Sequence, residues 1–236
     1  MLVNSRKNAF LIHLGISVII LLLILSVIFF VWYPNELIFA GGLSGLKIIM
    51  AVDLVLGPLL TLVVFKPDKK NLKFDLLCIA LLQIGCLIYG LFLVHSQRPL
   101  LQVVANDGVH LFAVADIKEN DINLENITGS NLKKVIMDLP EDSTGWGTIA
   151  LTTEFIEGKP FPLSDDLYLD QNTISDDQYR KRIDTIIEKE ASKELNELNK
   201  NQDGVCRWIP VFSPHTHGFA CVNKEKGVLK LSNKVL

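Results

Sequence analysis

The chain has 236 residues, 49% of them hydrophobic, and a formal net charge of −3, with a mean hydropathy of +0.33. The apolar excess sits in roughly the first hundred residues, which excludes disorder and argues against a soluble cytosolic enzyme. The charge gives no basic footprint for nucleic acid, and four Cys are too few for a disulfide scaffold but enough for one bridge.

Three stretches are apolar enough for the about 20 residues a membrane helix needs. They run from Phe10 to Tyr33, uncharged from Ile16 to Val31, from Leu43 to Phe65, and from Leu76 to His95. Helices satisfy their own backbone groups in lipid, so three transmembrane helices are expected within a domain of residues 1–98. The first stretch exceeds the about 7–15 apolar residues of a signal peptide, and Ala40 offers only a weak cleavage position. Arg6 and Lys7 precede it, the loop from Tyr33 to Gly42 holds no Lys or Arg, and Lys66, Lys69, Lys70 and Lys73 follow the second stretch. The positive-inside pattern puts the N-terminus and second loop in the cytoplasm and everything after the third helix outside, in the bacterial periplasm.

Asp53 falls near the middle of the second helix, where a carboxylate costs roughly 2.5–3.5 kcal/mol unless it faces protein or is protonated. It reads either as a contact for a partner helix or a proton, or as a bundle-internal hydrogen bond, for example to Gln83 of the third helix. Gly57-Pro58 follows, and Pro58 removes a backbone bond and should bend the helix. Gly41 and Gly45 are spaced for close helix approach. Cys78 and Cys86 have no companions at ligand spacing and read as small apolar fillers. No inverted repeat or row of ionisable residues marks a transporter.

From Ser96 the composition turns charged, with 16 Lys and Arg against 22 Asp and Glu. Residues 99–236 are enough for one small α+β domain, expected as antiparallel strands with one long amphipathic helix. Leu100–Ala105 and Val109–Ala115 flank Asn106-Asp107-Gly108, a hairpin signal. Asp121–Ile127 and Leu132–Leu139 fit short strands or helix, and Ala150–Ile156 a strand. Ser175-x-x-Gln178 forms a capping box, with Asp176 and Asp177 suiting the positive helix end. Tyr179, Ile183, Ile186, Ile187, Ala191, Leu195 and Leu198 then recur at helical spacing. This helix is expected to pack on a small sheet, with partner binding as the sharper reading.

Val205–Phe212, Gly218–Val222 and Val228–Leu231 read as strands. Cys206 and Cys221 fall on the first two, symmetric about the turn at Ser213-Pro214, and on the oxidising side of the membrane. A Cys206–Cys221 bridge is expected, worth roughly 3 kcal/mol in the loop-entropy account. His215-Thr216-His217 lies in the connecting turn. With the two cysteines it can be drawn as a metal site, but the spacing is not a zinc pattern, so exposed turn histidines are expected and no metal or cofactor. No G-x-S-x-G, H-E-x-x-H or P-loop motif occurs, and no catalytic residue is assigned.

One set of residues is familiar. Trp32-Tyr33-Pro34, the run from Asp53 through Gly57-Pro58 to Thr61, Phe65-Lys66-Pro67, Phe74-Asp75, Gln83, Tyr89-Gly90 and Gln97-Arg98-Pro99 resemble the TfpX/TfpZ family of type IV pilin accessory proteins. The resemblance covers Tyr33 to Pro99 well and the charged part loosely. It implies a non-enzymatic inner-membrane protein that helps a major pilin reach or stay in the pilus, with the pilin, the assembly machinery and the lipid bilayer as partners. It makes Asp53, Gly57, Pro58, Gln83, Gln97 and Arg98 candidate partner contacts or bundle-core residues, and it supplies no mechanism. Two rival classes stand beside it. A membrane-anchored periplasmic sensor would want a cytoplasmic output domain. A membrane enzyme that modifies pilin would want more acidic loop residues than Glu36.

Overall fold

A computed structural model describes residues 5–33, 41–67, 69–127, 131–138, 143–152, 154, 160–170, 173–189, 206–213, 216–223 and 227–232. The chain divides into two compact units, Met1–Pro34 with Gly42–Ser96, and Asn35–Gly41 with Gln97–Leu236.

The first unit is helical. Helix α1 (Arg6–Val27) starts where the Ser5 hydroxyl accepts the Asn8 amide at 3.2 Å, and it continues as a π-helical turn over Ile28–Trp32. Helix α2 (Gly42–Met50) runs through a π-helical stretch, Ala51–Leu56, into α3 (Gly57–Val64), and α4 covers Leu72–Ser96. Three segments, Arg6–Trp32, Gly45–Val64 and Leu72–Ser96, are long and apolar enough to cross a membrane. Their outward side chains are largely apolar, aliphatic ones such as Ile19, Val55 and Leu82 and aromatic ones such as Phe30 and Phe92.

The π stretch is the local answer to Pro58. A proline has no N–H to give four residues back, and its ring crowds that carbonyl. The chain widens its turn just before it, and the Gly57 amide reaches the Val52 carbonyl, five residues back. Helices α2 and α4 approach through glycine. A Cβ at Gly45 would stand 2.6 Å from Val94 Cγ2 and 3.0 Å from the Gly90 carbonyl, and one at Gly90 would stand 2.5 Å from Ile49 Cγ1. Gly45 thus has the role its spacing suggested.

The second unit is a seven-stranded sheet in the order β4-β3-β1-β2-β5-β6-β7. Its strands are β1 (Pro99–Val104), β2 (Val109–Ala113), β3 (Lys133–Met137), β4 (Tyr168–Asp170), β5 (Cys206–Ser213), β6 (Thr216–Asn223) and β7 (Gly227–Ser232). The β1–β2 hairpin forms as expected, closed by the Ala105 amide on the Gly108 carbonyl at 2.9 Å. A Cβ at Gly108 would stand 2.6 Å from the Pro210 carbonyl, so only glycine fits the turn.

The sheet is mixed, which corrects the antiparallel expectation: β3 runs parallel to β1, and β5 parallel to β2. Both parallel pairs follow long connections that carry helices, α5 (Val114–Glu119) before β3 and α7 (Asp176–Lys189) before β5. Residues 121–127 are turns rather than strand or helix. The expected strand from Ala150 gives way to α6 (Ser143–Thr152), because Ile149 and Ala150 pack on the core formed by Leu101, Val103, Phe112, Val135, Met137 and Phe161; tertiary contact outweighs β propensity there.

Helix α7 carries the capping box. The Ser175 hydroxyl accepts the Gln178 amide at 3.2 Å, and Gln178 Oε1 accepts the Ser175 amide at 3.0 Å. Tyr179, Ile183 and Ile186 are buried, each such side chain contributing about 1.5–3 kcal/mol. The helix lies against β5, where Asp184 pairs with Arg207. Ala191, Leu195 and Leu198 lie outside the described residues.

Candidate functional site

Five polar side chains from three helices line one cavity of about 450 Å³ inside the helical unit: His13 and Ser17 of α1, Asp53 of the π stretch, Thr61 of α3 and Gln83 of α4. Apolar residues, among them Ile16, Phe65, Ile84 and Leu87, complete the walls. Ile16 and Ile84 are 53% and 54% exposed, so the cavity is a crevice open to the side between α1 and α4.

The backbone positions this cluster simply. Asp53, Gly57 and Thr61 recur every fourth residue, as do His13 and Ser17, so each set faces one way on its helix. The Thr61 hydroxyl donates to the Gly57 carbonyl at 3.0 Å. A hydroxyl has one proton, so Thr61 Oγ1 accepts its second bond, 2.6 Å long, from His13 Nδ1. That puts a proton on Nδ1 and leaves Nε2 as the ring's other hydrogen-bonding atom.

Asp53 is 6% exposed, and His13 is the ionisable group within electrostatic reach. Among the described residues its carboxyl group takes no hydrogen bond. The bond to Gln83 anticipated from the sequence does not form. Gln83 instead lays its amide against Gly57, where a Cβ would collide with Nε2. Glycine at 57 is therefore what lets α3 and α4 close over the cluster.

The other candidates stand apart. Pro58 is buried in the first turn of α3. Gln97 and Arg98 belong to the sheet unit, where the Arg98 carbonyl accepts the Val114 amide at 3.0 Å. Cys221 is buried opposite Trp208, while Cys78 and Cys86 are free thiols. The Cys206 side chain and His215 lie outside the described residues. His13, Ser17 and Thr61 are the site residues that sequence reasoning missed; the four-residue repeat of small and polar side chains was the available signal.

The one hydroxyl beside an imidazole among the described crevice residues, Thr61, gives its proton to the Gly57 carbonyl and accepts from His13, so it is not arranged as a nucleophile with its base. Among the described residues, no three His, Cys, Asp or Glu are placed to hold a metal ion. What the arrangement offers is a hydrogen-bond acceptor in a low-dielectric groove, where a polar contact is strong and an unmade one costly.

The sequence pattern of the family described as Fimbrial assembly protein FimB matches residues 2–35. Over 109 residues, 45% of this chain, there is 31% identity to the "Fimbrial assembly protein, serogroups C1 and C2" of Dichelobacter nodosus, covering 83% of that protein. The serogroup E1 and serogroup I proteins of the same organism match at 31% identity over 109 residues, and the chain spans 42% of the length of each. No solved structure matches.

Proposed function

The chain belongs to the fimbrial assembly protein family, and from that premise we propose that it serves type IV pilus biogenesis as a non-enzymatic inner-membrane accessory factor that holds the major pilin before or during assembly. The observation that carries this reading is the 31% identity spanning 83% of a protein named for fimbrial assembly. The three apolar helices suit a partner that waits in the same bilayer, and holding needs neither ATP nor a covalent step. The reading matches the likeness of Tyr33–Pro99 to TfpX/TfpZ accessory proteins.

In this reading the basic N-terminus and the Lys66–Lys73 loop stay in the cytoplasm, and the sheet unit works in the periplasm, where a Cys206–Cys221 bridge persists. The test is deletion of the gene, with surface pili and pilin half-life as readouts. Fewer pili and faster pilin loss are expected, both restored by the intact gene. Normal piliation with normal pilin turnover would remove the reading.

A further inference from the structure

We infer that the crevice between α1 and α4 receives a transmembrane helix of the pilin, seated by a hydrogen-bond donor on that helix at Asp53; the inference rests on the pilin-holding reading above.

Three observations lead to it. The crevice, about 450 Å³, is within the roughly 300–1,000 Å³ of ordinary ligand sites. It opens at the side, where Ile16 and Ile84 are half-exposed. A neighbouring helix can therefore enter by lateral diffusion, with a few side chains filling the groove.

Second, Asp53 lines the crevice, is more than nine-tenths buried, and accepts no hydrogen bond among the described residues. Of the donors near it, His13 Nδ1 is committed, since it gives its proton to Thr61. Beside it, the Gln83 amide also makes no hydrogen bond among the described residues. An acceptor left bare at mid-membrane is costly, so the occupant that completes the site brings a hydroxyl, amide or ammonium group.

Third, this requirement discriminates among occupants. A lipid acyl chain fills the apolar walls but donates nothing. A second copy of this chain offers mainly apolar outward side chains, such as Ile19, Val55 and Leu82, and its outward hydroxyl, Tyr89, lies six residues beyond Gln83 along α4. An apolar helix with one polar donor meets both demands, and interhelical hydrogen bonds of this kind help hold helices together in membranes.

The test uses the full chain in its own host, with pilin at natural levels. A photo-crosslinking phenylalanine analogue replaces Ile84 in the crevice, Val63 on the outward face of α3, or Arg180 on α7, and conjugates are read with a pilin antibody. The expected result is a pilin conjugate from position 84 at least fivefold stronger than from 63. It falls at least fivefold in Asp53→Leu and persists in Asp53→Asn, which keeps an acceptor oxygen. Because Asp53→Leu can lower the amount of protein, a second variant, Ala80→Phe, fills the groove away from the cluster and should equally reduce capture from position 84. Conjugates to lipid alone, or to a second copy of this chain, would overturn the inference. Pilin captured from 180 but not from 84 would overturn it while leaving the holding reading intact. No pilin from any position would end both.

Discussion

The Tyr33 hydroxyl donates a 2.6 Å hydrogen bond to the Val94 carbonyl in the interior of the helical unit. Val94 lies in the last turn of α4, where carbonyls have no helical donor of their own, and its side chain fills the space above Gly45 of α2. One residue thus ties the ends of α1, α2 and α4. Next to it Trp32 meets His95 edge to face, with ring centroids 5.1 Å apart. Tyr33→Phe keeps the ring and deletes the donor. We expect a loss of about 1–3 kcal/mol, seen as a lower thermal midpoint of the detergent-solubilised full chain. An unchanged midpoint would mean that the bond carries no net stability.

Gly57 and Gln83 form a second coupled pair. Gly57→Ala drives a methyl group into the Gln83 amide and should cost about 1–3 kcal/mol as overpacking. Shortening the partner in Gly57→Ala/Gln83→Ser should recover at least half of that loss. If the two substitutions simply add, the collision does not govern the packing of α3 on α4.

Gln102 sits in β1 at 0% exposure, and neither of its amide side-chain atoms has a partner among the described residues. A buried amide without partners costs about 1–3 kcal/mol. Gln102→Met, similar in shape and apolar, should therefore raise the unfolding midpoint of the sheet unit in the intact protein. A lower midpoint would show that the amide is satisfied in solution.

Asp107 and His110 give a pH dependence. Burial alone would raise the Asp107 carboxyl, but the hydrogen bond and charge of His110, with a backbone hydrogen bond, hold it below the usual carboxylate range. A depressed folded-state value means that the stabilisation is complete above the unfolded value of about 4 and is lost as pH falls through the folded value. Asp107 is 43% exposed, so solvent screens the pair to at most about 1 kcal/mol. Wild type should exceed Asp107→Asn in chemical-denaturation stability at neutral pH, and the gap should close below about pH 4. A gap that persists in strong acid would contradict the assignment.

For the cysteines, thiol counting is decisive. Alkylation of the unfolded, unreduced chain should label Cys78 and Cys86, the free thiols, and leave Cys206 and Cys221 linked in one non-reduced proteolytic fragment. Four labelled thiols before reduction would remove the bridge.

The extent to which the sequence was readable follows the range of the interactions. Three apolar stretches, the Asn106-Asp107-Gly108 hairpin and the Ser175-x-x-Gln178 cap depend on neighbours within a few residues, and each is seen where it was expected. The helix at Ser143–Thr152 and the two parallel strand pairs were not readable, because they depend on which distant surface a segment packs against.

The same division holds in the site. Composition and spacing alone determined that Asp53 lies inside an apolar helix and that a proline follows it one turn later. Only the tertiary structure decided that Asp53 faces a crevice shared with His13 and Thr61, and that Gln83 rests on Gly57 instead of bonding Asp53. The reason is geometric. Helical periodicity says which residues share a face, whereas the rotation and depth of one helix against another are set by close contacts, here Gly45 with Val94 and Gly57 with Gln83.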